Sequence, residues 1–169
     1  MLRLSAIICF VSTISCGYTV GYPKMPEHLK SIAVGPVQGD GVDVDVAALV
    51  SRELRFHLAE HPSITLGTLD SARSQINVQL LNTLAGLTPM SDPANRAAQY
   101  RTTVVIKATV TDADGKLIWL SRKVTGQSDN LSVGDDIEAL DGRRRTALER
   151  AIREATRELV TLLVLKMGS

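Results

Sequence analysis

Alternating and helical spacings of apolar residues succeed one another along this chain in an order that reads β-α-β-β-β-α. Ser31-Ile32-Ala33-Val34-Gly35-Pro36-Val37 is a short apolar run closed by the turn residues Gly39-Asp40-Gly41, which predicts a first strand. Pro36 has no N–H to donate, so a central, fully paired position is not expected for it. From Asp43, a suitable N-cap, the period becomes helical. Val46, Leu49, Val50, Leu54, Phe56, His57 and Leu58 form a broad apolar stripe that Pro62 ends, because the residue before a proline avoids the helical region. Ser63-Ile64-Thr65-Leu66 is a short β-prone piece. Strict alternation then places Ile76, Val78, Leu80 and Leu84 on a core face and amides such as Gln75, Asn77 and Gln79 on the other.

Residues 86–95, with Pro89 and Pro93, read as a surface loop. Across residues 99–111 the alternation is clean. Thr102, Val104, Ile106, Ala108 and Val110 share one face, and Arg101, Thr103, Val105, Lys107, Thr109 and Thr111 share the other. Asp112-Ala113-Asp114-Gly115 is a hairpin signal whose glycine suits a positive φ. Residues 116–126 return as a third long strand, with Leu117, Ile118, Trp119, Leu120 and Val124 in an ambiguous phase, and polar residues 127–136 read as loop. A long helix over residues 137–166 closes the chain, its stripe drawn by Leu140, Ala147, Leu148, Ala151, Ile152, Ala155, Leu159, Leu162 and Leu163.

Each helix has one apolar stripe and each long strand one apolar face. The fold class that buries them together is α+β, a two-layer sandwich with two helices packed on one face of a mostly antiparallel or mixed four-stranded sheet. The opposite face then carries Gln, Asn, Thr, Arg and Lys, so it is either solvated or meets a polar partner.

The N-terminal stretch breaks this pattern. Arg3 is followed by an apolar run over positions 4–14, about 11 residues, the length of a signal-peptide core and too short to span a bilayer. It ends in Thr13-Ile14-Ser15-Cys16-Gly17-Tyr18. A small residue before a cysteine suits lipoprotein processing, with Cys16 the acylated first residue of the mature chain, although Thr13 stands where Leu is usual. The alternatives are an ordinary secretory signal with cleavage nearby, or a buried cysteine in an apolar strand. Acyl chains contribute roughly 0.8 kcal/mol per buried methylene, so two or three of them anchor a protein stably. Gly17 rather than Asp after the cysteine points to the outer membrane, facing the periplasm. The organisation expected is residues 1–15 as signal peptide, 16–30 as lipidated N-terminus and tether, and 31–169 as a single domain.

Composition narrows the function. Nineteen basic and eighteen acidic side chains give a net charge of +1, so no global field recruits nucleic acid or anionic membrane. The two cysteines are Cys9 and Cys16; processing would remove one and acylate the other, leaving no thiol for disulfides, metals or catalysis. Six aromatic side chains in all leave few stacking platforms for bases or sugars.

The Cys16-Gly17-Tyr18 start followed by Gly21, the early Ile32-Ala33-Val34 strand, the strand running into Asp112-Ala113-Asp114-Gly115-Lys116-Leu117-Ile118-Trp119, and the Ala-rich helix over residues 145–163 together resemble the lipopolysaccharide-assembly lipoprotein family LptE. The resemblance spans nearly the whole chain. It implies a non-enzymatic protein without cofactors that sits as a plug within the outer-membrane β-barrel LptD, supporting barrel assembly and lipopolysaccharide transport to the cell surface. It also implies lipopolysaccharide binding, for which Arg96 and Arg101, around the loop into the third strand, are the candidate ligand-binding residues. The pattern departs from the family at residues 127–136, where a basic residue is expected and none occurs.

Other constellations yield less. His57 and His61 share a helix face beside Glu60, but the spacing is not that of zinc peptidases and no third ligand is indicated, so no metal site is expected. Asp40, Asp43 and Asp45 suit turn formation and capping and lack the twelve-residue calcium loop. Arg143-Arg144-Arg145 opposes the helix dipole near a helix start, which leaves an anionic-lipid patch open beside a solvated face. No Gly-x-Ser-x-Gly elbow occurs, and an enzyme is not expected. Two further readings stand beside the LptE-like one: an auxiliary periplasmic lipoprotein of an ABC-type lipid transporter, and an envelope structural lipoprotein.

Overall fold

A computed structural model describes residues 25–88, 97–133 and 137–168. The leader, Cys16, most of the tether and Arg96 lie outside the described residues. Met25 is buried, and one 3-10 turn, Glu27–Leu29, leads into β1 (Ser31–Gln38). The first helix, α1, spans Val44–Ala59; the Asp43 carboxylate accepts the Asp45 N–H at 2.9 Å, satisfying one of the donors that a helix start leaves without an intrahelical partner. Then come β2 (Thr65–Leu66), β3 (Ser74–Thr88), β4 (Ala97–Asp112), β5 (Leu117–Leu120), β6 (Val124–Val133) and α2 (Ile137–Met167).

The sheet runs β2-β1-β3-β4-β5, with β6 also on β4. β1 is parallel to β2 and β3, and all other pairs are antiparallel, so the sheet is mixed. β5 and β6 lie along the same edge of β4 as two pieces of one interrupted strand. At the break Ser121 holds the pieces in line: its N–H donates to the Ala108 carbonyl at 2.9 Å, and its hydroxyl accepts the Ala108 N–H at 2.7 Å. The four strands expected from the sequence are thus present, the last of them broken into β5 and β6, and the β-prone piece at residues 63–66 supplies the two-residue β2.

Both helices pack on one face. Val50, Leu54 and Leu58 of α1, Ile76 and Val78 of β3, Val104 and Ile106 of β4, and Ile152, Leu159 and Leu163 of α2 are fully buried or nearly so in one cluster. Each contributes about 1.5–3 kcal/mol by leaving water, and that gain sets the phase of every long element. Trp119 is half-buried against this cluster. Pro36 lies beyond the two residue pairs that join β1 to β2, at a register shift between β1 and β3, so its missing N–H leaves no ladder bond unmade.

Three expectations change. Residues 127–133, read as loop, continue β6 opposite residues 97–103 of β4. The inward positions where this stretch begins are Gly126 and Ser128 rather than large apolar residues, because α2 lies so close that a Cβ on Gly126 would stand 1.9 Å from the Ala151 carbonyl oxygen. Hydrophobic alternation therefore vanishes where packing is tightest. Residues 86–88, also read as loop, extend β3 opposite residues 99–101; the remainder of that loop lies outside the described residues. Finally, Leu84 is exposed rather than core-facing. A bulge at Leu81 adds one residue between the pairs Leu80–Ile106 and Asn82–Val105, and a one-residue slip turns every later side chain to the other face.

Candidate functional site

Because both helices cover one side of the sheet, the other side is left uncovered. β3 contributes Gln75, Asn77 and Gln79, β4 contributes Thr103, Lys107, Thr109 and Thr111, and β6 contributes Thr125, Gln127 and Asp129. Gln75 Nε2 donates to Asn77 Oδ1 at 2.6 Å, and this amide bridge lies over Gly35, where any Cβ would fall 2.2 Å from Asn77 Oδ1. Lys107 stands opposite Gln79 near the middle of this face, and among the described residues no carboxylate pairs with it.

Arg101, the one expected lipopolysaccharide ligand among the described residues, sits on this same open face. It is the cross-strand partner of Asp129. Its Nε and Nη2 donate to the two carboxylate oxygens at 2.6 and 2.9 Å, a bidentate fork. The hydrogen bonds from Arg101 hold the Asp129 carboxyl below the usual carboxylate range, and the same bonds raise the guanidinium. Sequence alone did not reveal Asp129 as its partner, because residues 127–136 carried no strand signal.

On the covered side of β4, Thr102 opens into a different feature. A cleft of about 530 Å³ lies between the N-terminal parts of the two helices, with Val46, Leu49 and Leu148 as its apolar walls and Thr83 and Thr102 beneath. Asp43, Asp45, Arg52, Arg144, Arg145 and Glu149 line its mouth, so it carries both signs of charge. The arginine run singled out in the sequence therefore has two members at this cleft, and Arg145 approaches Glu149 at 3.7 Å. Arg101 and Thr102 are chain neighbours pointing to opposite faces, so Arg101 does not reach the cleft.

Deeper along the helices, Glu53 of α1 is buried and receives Arg52 at 3.1 Å and Arg153 of α2 at 3.2 Å. Burial pushes its carboxyl up, but the two arginines outweigh burial and the net displacement is downward. His57, also buried, shares a hydrogen bond between its Nδ1 and Glu60 at 3.1 Å. Among the described residues no three His, Cys, Asp or Glu side chains converge as a metal-ligating group, and no helix is long and apolar enough to cross a membrane. A face of amides, hydroxyls, Lys107 and the Arg101–Asp129 pair, with Leu84 and Val105 among them, suits recognition of another largely polar surface.

The family model for LptE, described as lipopolysaccharide-assembly, matches residues 29–164. No curated protein matches the sequence. Among solved structures, the chain is similar in fold to a hypothetical protein of Chlamydia trachomatis at 13% identity and TM-score 0.55, covering 79% of this chain and 95% of that one. It is also similar to a minor lipoprotein of Acinetobacter baumannii at 8% identity and TM-score 0.53, covering 82% and 94%. The rare lipoprotein B of Shewanella oneidensis, at 12% identity and TM-score 0.50, is covered over 95% of its length by 79% of this chain.

Proposed function

As the chain belongs to the LptE family of lipopolysaccharide-assembly proteins, we propose that it is an outer-membrane lipoprotein, acylated at Cys16, that seats its open sheet face within an LptD-type β-barrel and supports lipopolysaccharide transport. The observation that carries this reading is the family match across both helices and nearly the whole sheet, joined to an uncovered sheet face that is polar without being strongly charged. The lumen of a large outer-membrane barrel is wet and polar, so such a face meets it without stranding many charges. Thr, Gln and Asn both donate and accept hydrogen bonds, and Lys107 offers a cation to a carboxylate on the wall.

For lipopolysaccharide itself, Arg96 and Arg101 remain the proposed contacts. Two of the five N–H donors of Arg101 are engaged by Asp129, which fixes the guanidinium and leaves the others for a phosphate oxygen.

The test is affinity purification of the full-length protein from detergent-solubilised envelopes, with mass spectrometry of stoichiometric companions. One large outer-membrane barrel is expected, and Lys107→Glu should weaken its recovery without changing the melting temperature. An inner-membrane permease in place of the barrel would move the function to an auxiliary transporter subunit. The Cys16→Ala variant should accumulate as unacylated precursor; unchanged acylation would overturn the anchor.

A further inference from the structure

The cleft between the N-terminal parts of α1 and α2 is a feature that the barrel reading does not use. Its origin lies in unequal lengths. β1 ends opposite Gln79 of β3, and α1 turns back from there, while β3 runs on to Thr88. The sheet thus outruns α1. Thr83 pairs with buried Val104 and so stands on the helix side of the sheet, yet it is exposed, because no helix reaches over it. Half-buried Val46, Leu49 and Leu148 wall the resulting space of about 530 Å³, which has the size of a ligand site. A second hollow of about 330 Å³ shares Asp43, Val46 and Thr83 with it and continues to the bulge at Leu81.

The charges at the mouth restrict the occupant. Asp43, Asp45 and Glu149 face Arg52, Arg144 and Arg145, so the formal charges cancel. Arg52 already meets Glu53 at 3.1 Å, and Arg145 meets Glu149 at 3.7 Å. A polyanion such as lipopolysaccharide would bring its phosphates against three carboxylates and gain no net attraction, and a polycation meets the converse obstacle. An acyl chain suits the apolar walls but not the floor. It would seal the Thr83 hydroxyl away from water and offer it no partner, at a cost of about 1–3 kcal/mol. The amides of a polypeptide replace that water with hydrogen bonds.

We propose that this cleft binds an extended polypeptide segment of a partner protein. One apolar side chain of the segment seats between Val46, Leu49 and Leu148. A basic residue on one side of it meets Asp43 and Asp45 at the start of α1, and an acidic residue on the other side meets Arg144 and Arg145 of α2. Apolar burial then supplies the affinity, and the two signs of charge select the segment and fix its register. The cleft lies on the helix side of the sheet, so its occupant is bound whether or not the open face is seated in a barrel.

The test uses the full-length protein in phospholipid nanodiscs with its valine and leucine methyl groups isotopically labelled, and the end-blocked pentapeptide Arg-Ser-Leu-Ser-Glu as probe. The peptide should move the methyl signals of Val46, Leu49 and Leu148 saturably and leave those of Leu117 and Leu120 in place. Serine in place of the peptide's leucine should weaken binding about tenfold or more, the effect of losing one buried aliphatic side chain. All-basic and all-acidic versions of the peptide should each bind about threefold more weakly, the effect of one exposed ion pair. The Arg145 side chain is 84% exposed, so Arg145→Glu should leave the melting temperature unchanged and turn the preference toward the all-basic peptide. Peptides that bind alike whatever their charge, or signals that move only elsewhere, overturn the proposal. So does a lysophospholipid or lipopolysaccharide that shifts the three methyl sets where the peptide does not, since it assigns the cleft to a lipid.

Discussion

Glu53 shows how a single residue can be illegible in sequence and still govern the pairing of two elements. It sits on the α1 stripe between Val50 and Leu54, a position that periodicity marks as core-facing, yet it is a carboxylate. Removing a charge from water costs several kcal/mol unless partners replace the lost hydration. Arg52 and Arg153 do so, the second from a helix a hundred residues away. Glu53→Gln should lower stability by about 1.5–3 kcal/mol at neutral pH, the range for a hydrogen bond to a charged group, read as a shift in the urea midpoint. The pH dependence has a definite sign. The native carboxyl lies below its ordinary value of 4.5, so its contribution is complete above about 4.5 and fades as the pH falls through the native value. The gap between wild type and variant should narrow on acidification below 4.5; a gap that stayed constant would show that charge is not what the two arginines recognise.

At the scale of elements, the contact between β6 and α2 is decided by small residues. Ala151 and Ala155 of α2 face Gly126, whose absent Cβ lets helix backbone approach strand backbone, and Glu154 accepts the Gln127 N–H at 2.7 Å along the outer edge of β6. That carboxylate occupies a strand-edge donor that would otherwise be open to another chain. Gly126→Ala must push α2 away, since its new methyl would overlap the Ala151 carbonyl. Overpacking of this kind costs about 1–3 kcal/mol. Chemical denaturation should report that loss, whereas an unchanged midpoint would mean that the helix shifts freely. β3 shows the converse limit of pattern reading. Ile76, Val78 and Leu80 follow the alternation into the core, and the extra residue at Leu81 then reverses it, so that Leu84 emerges on the open face. Periodicity cannot register an insertion whose cause is pairing with a strand some twenty residues downstream.

On the scale of the whole molecule, one hydrophobic cluster draws side chains from both helices and from β1, β3, β4 and β6. A single shared core predicts one cooperative unfolding transition. Amides of the buried middle of α2, around Ile152 to Leu163, should therefore exchange at the same global rate as those of central β4. Earlier exchange of α2 would separate helix layer from sheet. The two faces acquire different character from this arrangement: one is covered by helices over the core, and the other is open and largely polar. The order of the main elements, their types, the two-layer packing and the polar character of Arg101, Lys107 and their neighbours were legible in the sequence, because burial imposes a period of two or of nearly four on any element with one covered face, and the family was legible through the resemblance carried by its short motifs. Tertiary structure alone decided the pairing of Arg101 with Asp129, the bulge that exposes Leu84, and the continuation of β6 through residues without apolar alternation. Each of these depends on contacts between segments far apart in the chain, where local spacing carries no information.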